Sequence, residues 1–105
     1  MEERYYHKRD LNNKPRLTGC LLIEDGHIAR GLSLCSMKDN PCKKRGRKIA
    51  LDRAIWAMEN KRSSLAISRW EATEILLLTK SSFTSYSHKA VYNPVLTDFE
   101  LGLVR

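Results

Sequence analysis

Apolar and polar residues alternate most sharply between Leu17 and Leu34, on either side of the pair Asp25-Gly26. That pair suits a type I′ two-residue turn, in which both positions take positive φ. Counting outward pairs Glu24 with His27, Ile23 with Ile28, Leu21 with Arg30, Gly19 with Leu32 and Leu17 with Leu34. In this register Leu17, Leu21, Ile23, Ile28, Leu32 and Leu34 share one face. Thr18, Cys20, Glu24, His27, Ala29, Gly31, Ser33 and Cys35 share the other, with Leu22 the exception. A one-residue slip would mix the two sets, so the sorting predicts an antiparallel hairpin of strands at about 16–24 and 27–36. Its apolar face needs a helix to cover it.

The period then changes. Asp39-Asn40-Pro41 signals a turn, and from about 47 to 59 the spacing becomes helical. Ala50, Leu51, Ala54, Ile55, Ala57 and Met58 fall on one side, and the alanines are small enough to let a helix lie close on a sheet. Ile49 and Trp56 form a second stripe on the other side, beside Arg53 and Asn60. Ser68 to Glu71, "SRWE", has the spacing of a capping box, with Ile67 and Ala72 placed as a hydrophobic staple. A second helix at about 69–79 follows from it, with a strand over 74–80 as the rival. Residues 81–92 suit a loop or edge strand. Asn93-Pro94 suits the start, and Gly102 the stop, of a short terminal helix at about 94–101. Residues 1–15 show no sustained period and read as an N-terminal arm ahead of one α+β domain at 16–105.

Charge sharpens this picture. The 105 residues carry a net +7, and residues 36–62 hold nine cations against three anions. The stretches before and after are close to balanced, so the excess is placed as for a binding face. A basic balance favours polyanions: nucleic acid first, an acidic protein surface second, anionic lipid third. No apolar run reaches the roughly 20 residues of a membrane span. The opening "MEERYYHKRD" does not read as a signal peptide, and the three cysteines are odd in number and loosely spaced, which suits a reducing cytoplasm.

The sharpest anomaly is "CKKRGRK", Cys42 to Lys48. Cations at a helix start oppose the positive end of the macrodipole, while the free amides there want an anion. A phosphate would answer both. The candidate anion-binding set is Lys43, Lys44, Arg45, Gly46, Arg47 and Lys48, flanked by Lys38 and Arg53, with Gly46 letting a backbone approach. Trp56 with Ile49, and Trp70 with Leu77, either lie under the C-terminal segment or serve as protein-contact anchors. Tyr5 and Tyr6 beside Lys8 and Arg9 either stack on bases or belong to a frayed arm. The spacing of Cys35 and Cys42 does not suit zinc, and no catalytic motif is present, so neither a cofactor nor an enzymatic activity is expected.

"KKRGRKIALDRAI", Lys43 to Ile55, resembles the start of the last helix of double-stranded-RNA-binding domains. Lys43, Lys44, Gly46, Arg47, Ala50, Ala54 and Ile55 occupy the positions where that family has a Lys-Lys pair, a small residue, a further basic residue and spaced alanines. The preceding hairpin fits as well. The resemblance implies that Lys43, Lys44 and Arg47 straddle phosphates across a groove while the loop at His27 enters the minor groove. The style of "IARGLSLCSMKDN…KKRGRKIALDRA" with "YNPVLTDFE" also resembles small accessory proteins of bacteriophages and prophages, many of which bind nucleic acid or block a host nuclease or CRISPR effector. The expected function is non-enzymatic nucleic-acid binding. The alternative is an inhibitor that docks on a host protein through the same basic stretch and an aromatic stripe of Ile49, Trp56 and Trp70. A homodimer is compatible with either.

Overall fold

The computed structural model describes residues 1–35, 40–64, 66–76, 79–81, 86 and 88–105, with the backbone alone at 71–73. Its elements are strands β1 (Glu2–Arg9), β2 (Pro15–Glu24) and β3 (His27–Leu34), helix α1 (Lys43–Asn60), the short helix α2 (Arg69–Glu71) running into a π-helical turn (Ala72–Leu76), strand β4 (Ala90–Tyr92) and helix α3 (Asp98–Val104). The fold is α+β. Four antiparallel strands lie in the order β1-β2-β3-β4. No helix of the described residues is long and apolar enough to cross a membrane.

The hairpin has the expected register, from Glu24 opposite His27 to Leu17 opposite Leu34. Asp25 and Gly26 supply the positive φ values, 49° and 80°, that the tight turn requires.

Helix α1 covers the hairpin from the side opposite to the apolar set. Its buried residues are Gly46, Ala50, Ala54 and Ala57. They pack on the small-residue face, where Ala50 and Ala54 cluster with Cys20 and Leu22, and Ala57 with Ala29 and Ala90. The physical reason is distance. A Cβ at Gly31 would collide with the carbonyl oxygen of Ala50, so the helix backbone sits almost directly on β3. Only small residues on both partners allow that approach. The larger face carries Leu17, Leu21 and Leu32 and is covered instead by the C-terminal half: Ile67, Ile75, Leu76 and Tyr86, with Leu96, Leu103 and Val104 packed around them.

Three further elements depart from expectation. Residues 2–9, read as part of an arm, form the outer strand β1. Most of its residues are charged, as suits an edge, and Tyr6 anchors it by packing into the apolar core. Helix α1 begins at Lys43, four residues before the expected start, with an extended Cys42 as N-cap. The terminal helix begins at Asp98 and includes Gly102. Asn93 takes a left-handed φ of 52° and cannot start a helix, whereas Thr97 and Glu100 form a reciprocal capping box. The stretch after Ser68 is helical through Leu76, which favours helix over strand there. The remainder of the expected 69–79 helix includes residues 77 and 78, outside the described set, and the proposed cap partner Glu71 is described only in its backbone.

Candidate nucleic-acid interface

The first helical hydrogen bond of α1 runs from the Gly46 amide to the Cys42 carbonyl oxygen, at 2.9 Å. The amides of Lys43, Lys44 and Arg45 precede it and have no acceptor within the helix. The Cys42 side chain makes no cap bond, and the first turn holds no acid. Among the described residues, this helix start has no negative complement of the usual kind.

Five cations surround it. Lys43, Lys44, Arg45, Arg47 and Lys48 are all exposed. Lys48 reaches Asp52 at 3.4 Å in a solvent-exposed pair of little energetic weight. Among the described residues no carboxylate pairs with Lys43, Lys44, Arg45 or Arg47. Among the described residues, two buried arginines are neutralised internally. The Arg16 Nε donates to Asp10 Oδ2 at 2.9 Å, and Arg30 is paired with Glu100. Asp10 also accepts from the amides of Asn12 and Lys14. The Arg16 hydrogen bond, helped by these amides, holds its carboxyl below the usual range.

The cations divide around the helix axis. Arg45 turns toward β3, where it lines a cavity of about 110 Å³ with Arg16, Cys35, Asn40, Cys42 and Ile49. Lys43 and Arg47 turn toward β1, where they act on His7. That imidazole is held below its ordinary value by burial first, and then by the charges of Lys43, Arg47 and Arg9. Its Nδ1 lies 2.9 Å from the Thr18 hydroxyl. Thus β1 brings Arg9 and His7 to the same positive surface, a contribution missed in the sequence because residues 1–15 were not expected to join the sheet.

Other expected members do not join it. Arg53 is half-buried and donates from Nη1 to the Leu32 carbonyl oxygen at 2.5 Å, which ties α1 to β3. Gly46 is buried against the sheet, where a Cβ would come within 2.6 Å of the Thr18 hydroxyl. It permits close helix–strand packing and does not face solvent. Lys38 lies outside the described residues. Tyr6 is buried, with its hydroxyl donating to Glu100 Oε2 at 2.7 Å, and half-buried Tyr5 donates to Glu3 Oε2 at 2.8 Å. Burial raises both phenols, and neither ring is presented for base stacking. At the hairpin turn, His27 is exposed and stacks on Tyr92, with ring centroids 6.0 Å apart.

The aromatic stripe divides too. Ile49 is half-buried at the small cavity. Trp56 is 37% exposed, with the Arg62 guanidinium 5.7 Å from its ring centroid, and Trp70 is 76% exposed. Cys20 is buried, which pushes its thiol up to about 12 and leaves it inert at neutral pH.

No protein-family model, no curated protein and no solved structure matches this chain.

Proposed function

We propose that the protein is a non-enzymatic, intracellular nucleic-acid-binding protein that grips a phosphate backbone with the first two turns of α1. The observation that carries this reading is the uncapped helix start ringed by Lys43, Lys44, Arg45, Arg47 and Lys48, four of them without a carboxylate partner among the described residues. Phosphate oxygens would accept from the free amides and from the side chains together. Arg9 adds to the positive field from β1. The resemblance to the last helix of double-stranded-RNA-binding domains supports the same use of Lys43, Lys44 and Arg47. Backbone contacts of this kind select by shape, because phosphates carry no base identity.

The test is the salt dependence of binding to short RNA and DNA, as duplexes and as single strands. Affinity should fall steeply as salt rises, and Lys44→Gln should flatten the log–log slope by about one unit. Salt-independent binding, or none at low salt, would sink the reading.

The exposure of Trp70 favours a second reading, a phage-type inhibitor that docks on a host nuclease or CRISPR effector. In that case Trp70→Ala should abolish capture of one stoichiometric protein partner from nuclease-treated lysate.

A further inference from the structure

Beyond the cation cluster, the described surface holds a groove of about 790 Å³, between the C-terminal half of α1 and the chain that returns along β4. Lys61, in a left-handed conformation, ends the helix and reverses the chain. The returning segment is then fixed: the Ser64 amide donates to the Ala90 carbonyl oxygen at 2.9 Å, the Ala90 amide donates to Ser64 Oγ at 3.1 Å, and Ala66 bridges to His88. The groove is therefore preformed. Trp56 stands on the helix side and Ser63, Ser64 and Ala66 on the other, with Arg62 and Lys89 among the lining residues. No carboxylate lines it among the described residues. Its chemistry combines one indole, cationic groups and hydroxyls, which suits a flat aromatic ligand carrying negative charge.

Continuity identifies that ligand. On α1, residues 45, 49 and 56 lie along one flank at helical spacing, so Trp56 is about 16 Å along the axis from Arg45. A strand held at the helix start reaches the groove within a few nucleotides. We infer that the groove accepts an unpaired nucleobase of a single-stranded nucleic acid, stacked on Trp56 in place of the Arg62 guanidinium that lies 5.7 Å from the ring centroid, so that Arg62 turns to a neighbouring phosphate. This deepens the preceding reading and rests on it: the N-terminal cations hold the backbone, and the groove adds a preference for strands whose bases are free. A base inside a duplex has both faces covered and cannot enter.

The experiment uses the full chain with Trp70→Phe, so that Trp56 reports alone; the sequence has two tryptophans. Three probes of about 12 nucleotides are titrated at low salt: oligothymidylate, an abasic strand with the same backbone, and a duplex. Oligothymidylate should quench Trp56 and bind about tenfold or more tighter than the abasic strand. Trp56→Ala should erase that difference and leave abasic affinity within about twofold, while Trp56→Phe should retain most of it. Equal binding of base-bearing and abasic strands without quenching overturns the groove assignment and leaves the backbone reading standing. Failure of all three probes to bind overturns both. Equal quenching by polyglutamate would overturn the assignment by showing that the groove reads charge alone.

Discussion

Arg30 sits in the middle of the apolar set of β3, yet it is only 1% exposed. Its Nε donates to Glu100 Oε2 at 2.8 Å, its Nη2 donates to Glu100 Oε1 at 2.5 Å and to the Val95 carbonyl oxygen at 3.1 Å, and Glu100 is wholly buried. Removing one partner strands the other as an uncompensated charge, so Glu100→Ala should destabilise the protein by about 3–5 kcal/mol in urea unfolding. Replacing both at once, by Arg30→Met with Glu100→Leu, should cost much less. Burial alone would raise the Glu100 carboxyl, but the Arg30 hydrogen bonds, with those of Thr97 and Tyr6, hold it below the usual 4.5. A carboxyl lower in the folded than in the unfolded chain stabilises fully above the unfolded value. That contribution is lost as pH falls through the folded value. Urea midpoints should therefore drop below about pH 4.5, and the double replacement should lack this part of the drop. His7 provides a second titration. Neutralising Lys43 or Arg47 should raise its imidazole toward the usual 6.5, as read by NMR, and a bound polyanion should do the same. Unchanged titration in both variants would place those cations away from β1.

Helix α1 carries two opposed demands. Its first turn lacks an acid and a side-chain cap, so its cations work against the macrodipole. Lys44→Glu should consequently stabilise the fold by about 0.3–1 kcal/mol in thermal unfolding while abolishing backbone binding. A loss of stability would show that the cations serve the fold instead. What holds the helix in place is close packing on β3. Gly31→Ala should be strongly destabilising, because the new methyl meets the backbone of α1 and no side-chain rotation relieves it. The existence of this helix, the hairpin register and the cation cluster were legible in the sequence, since turn chemistry and periodicity are local signals. The choice of face was not. Thr18, Cys20, Ala29 and Gly31 look like an indifferent surface in a pattern that scores hydrophobicity, whereas helix docking is decided here by side-chain size. Strand β1 was obscured for a related reason: Tyr6 is its one fully buried residue, too few to set a period. Arg30 was hidden because its partner belongs to another element.

Across the whole molecule, charge is sorted by role. Asp10 and Glu100 neutralise Arg16 and Arg30 within the fold, while five exposed cations gather at the start of α1, with Arg9 on the neighbouring part of β1. A chain with a net charge of +7 repels itself, so a bound polyanion should raise its melting temperature. At a duplex concentration of about 100 times Kd the linkage amounts to about 2.7 kcal/mol. The increment should disappear at high salt, and an increment that survived there would point to contacts other than phosphate.

The Arg30–Glu100 pair also sets an order of assembly. Seventy positions separate the two residues, so a chain emerging from the ribosome exposes the arginine long before its counterion is synthesised. Until residue 100 has emerged, the β2–β3 ribbon cannot close over its larger face without trapping an unmatched charge. The nascent protein should thus stay open and protease-sensitive until α3 arrives to seal it, and acquire resistance only then.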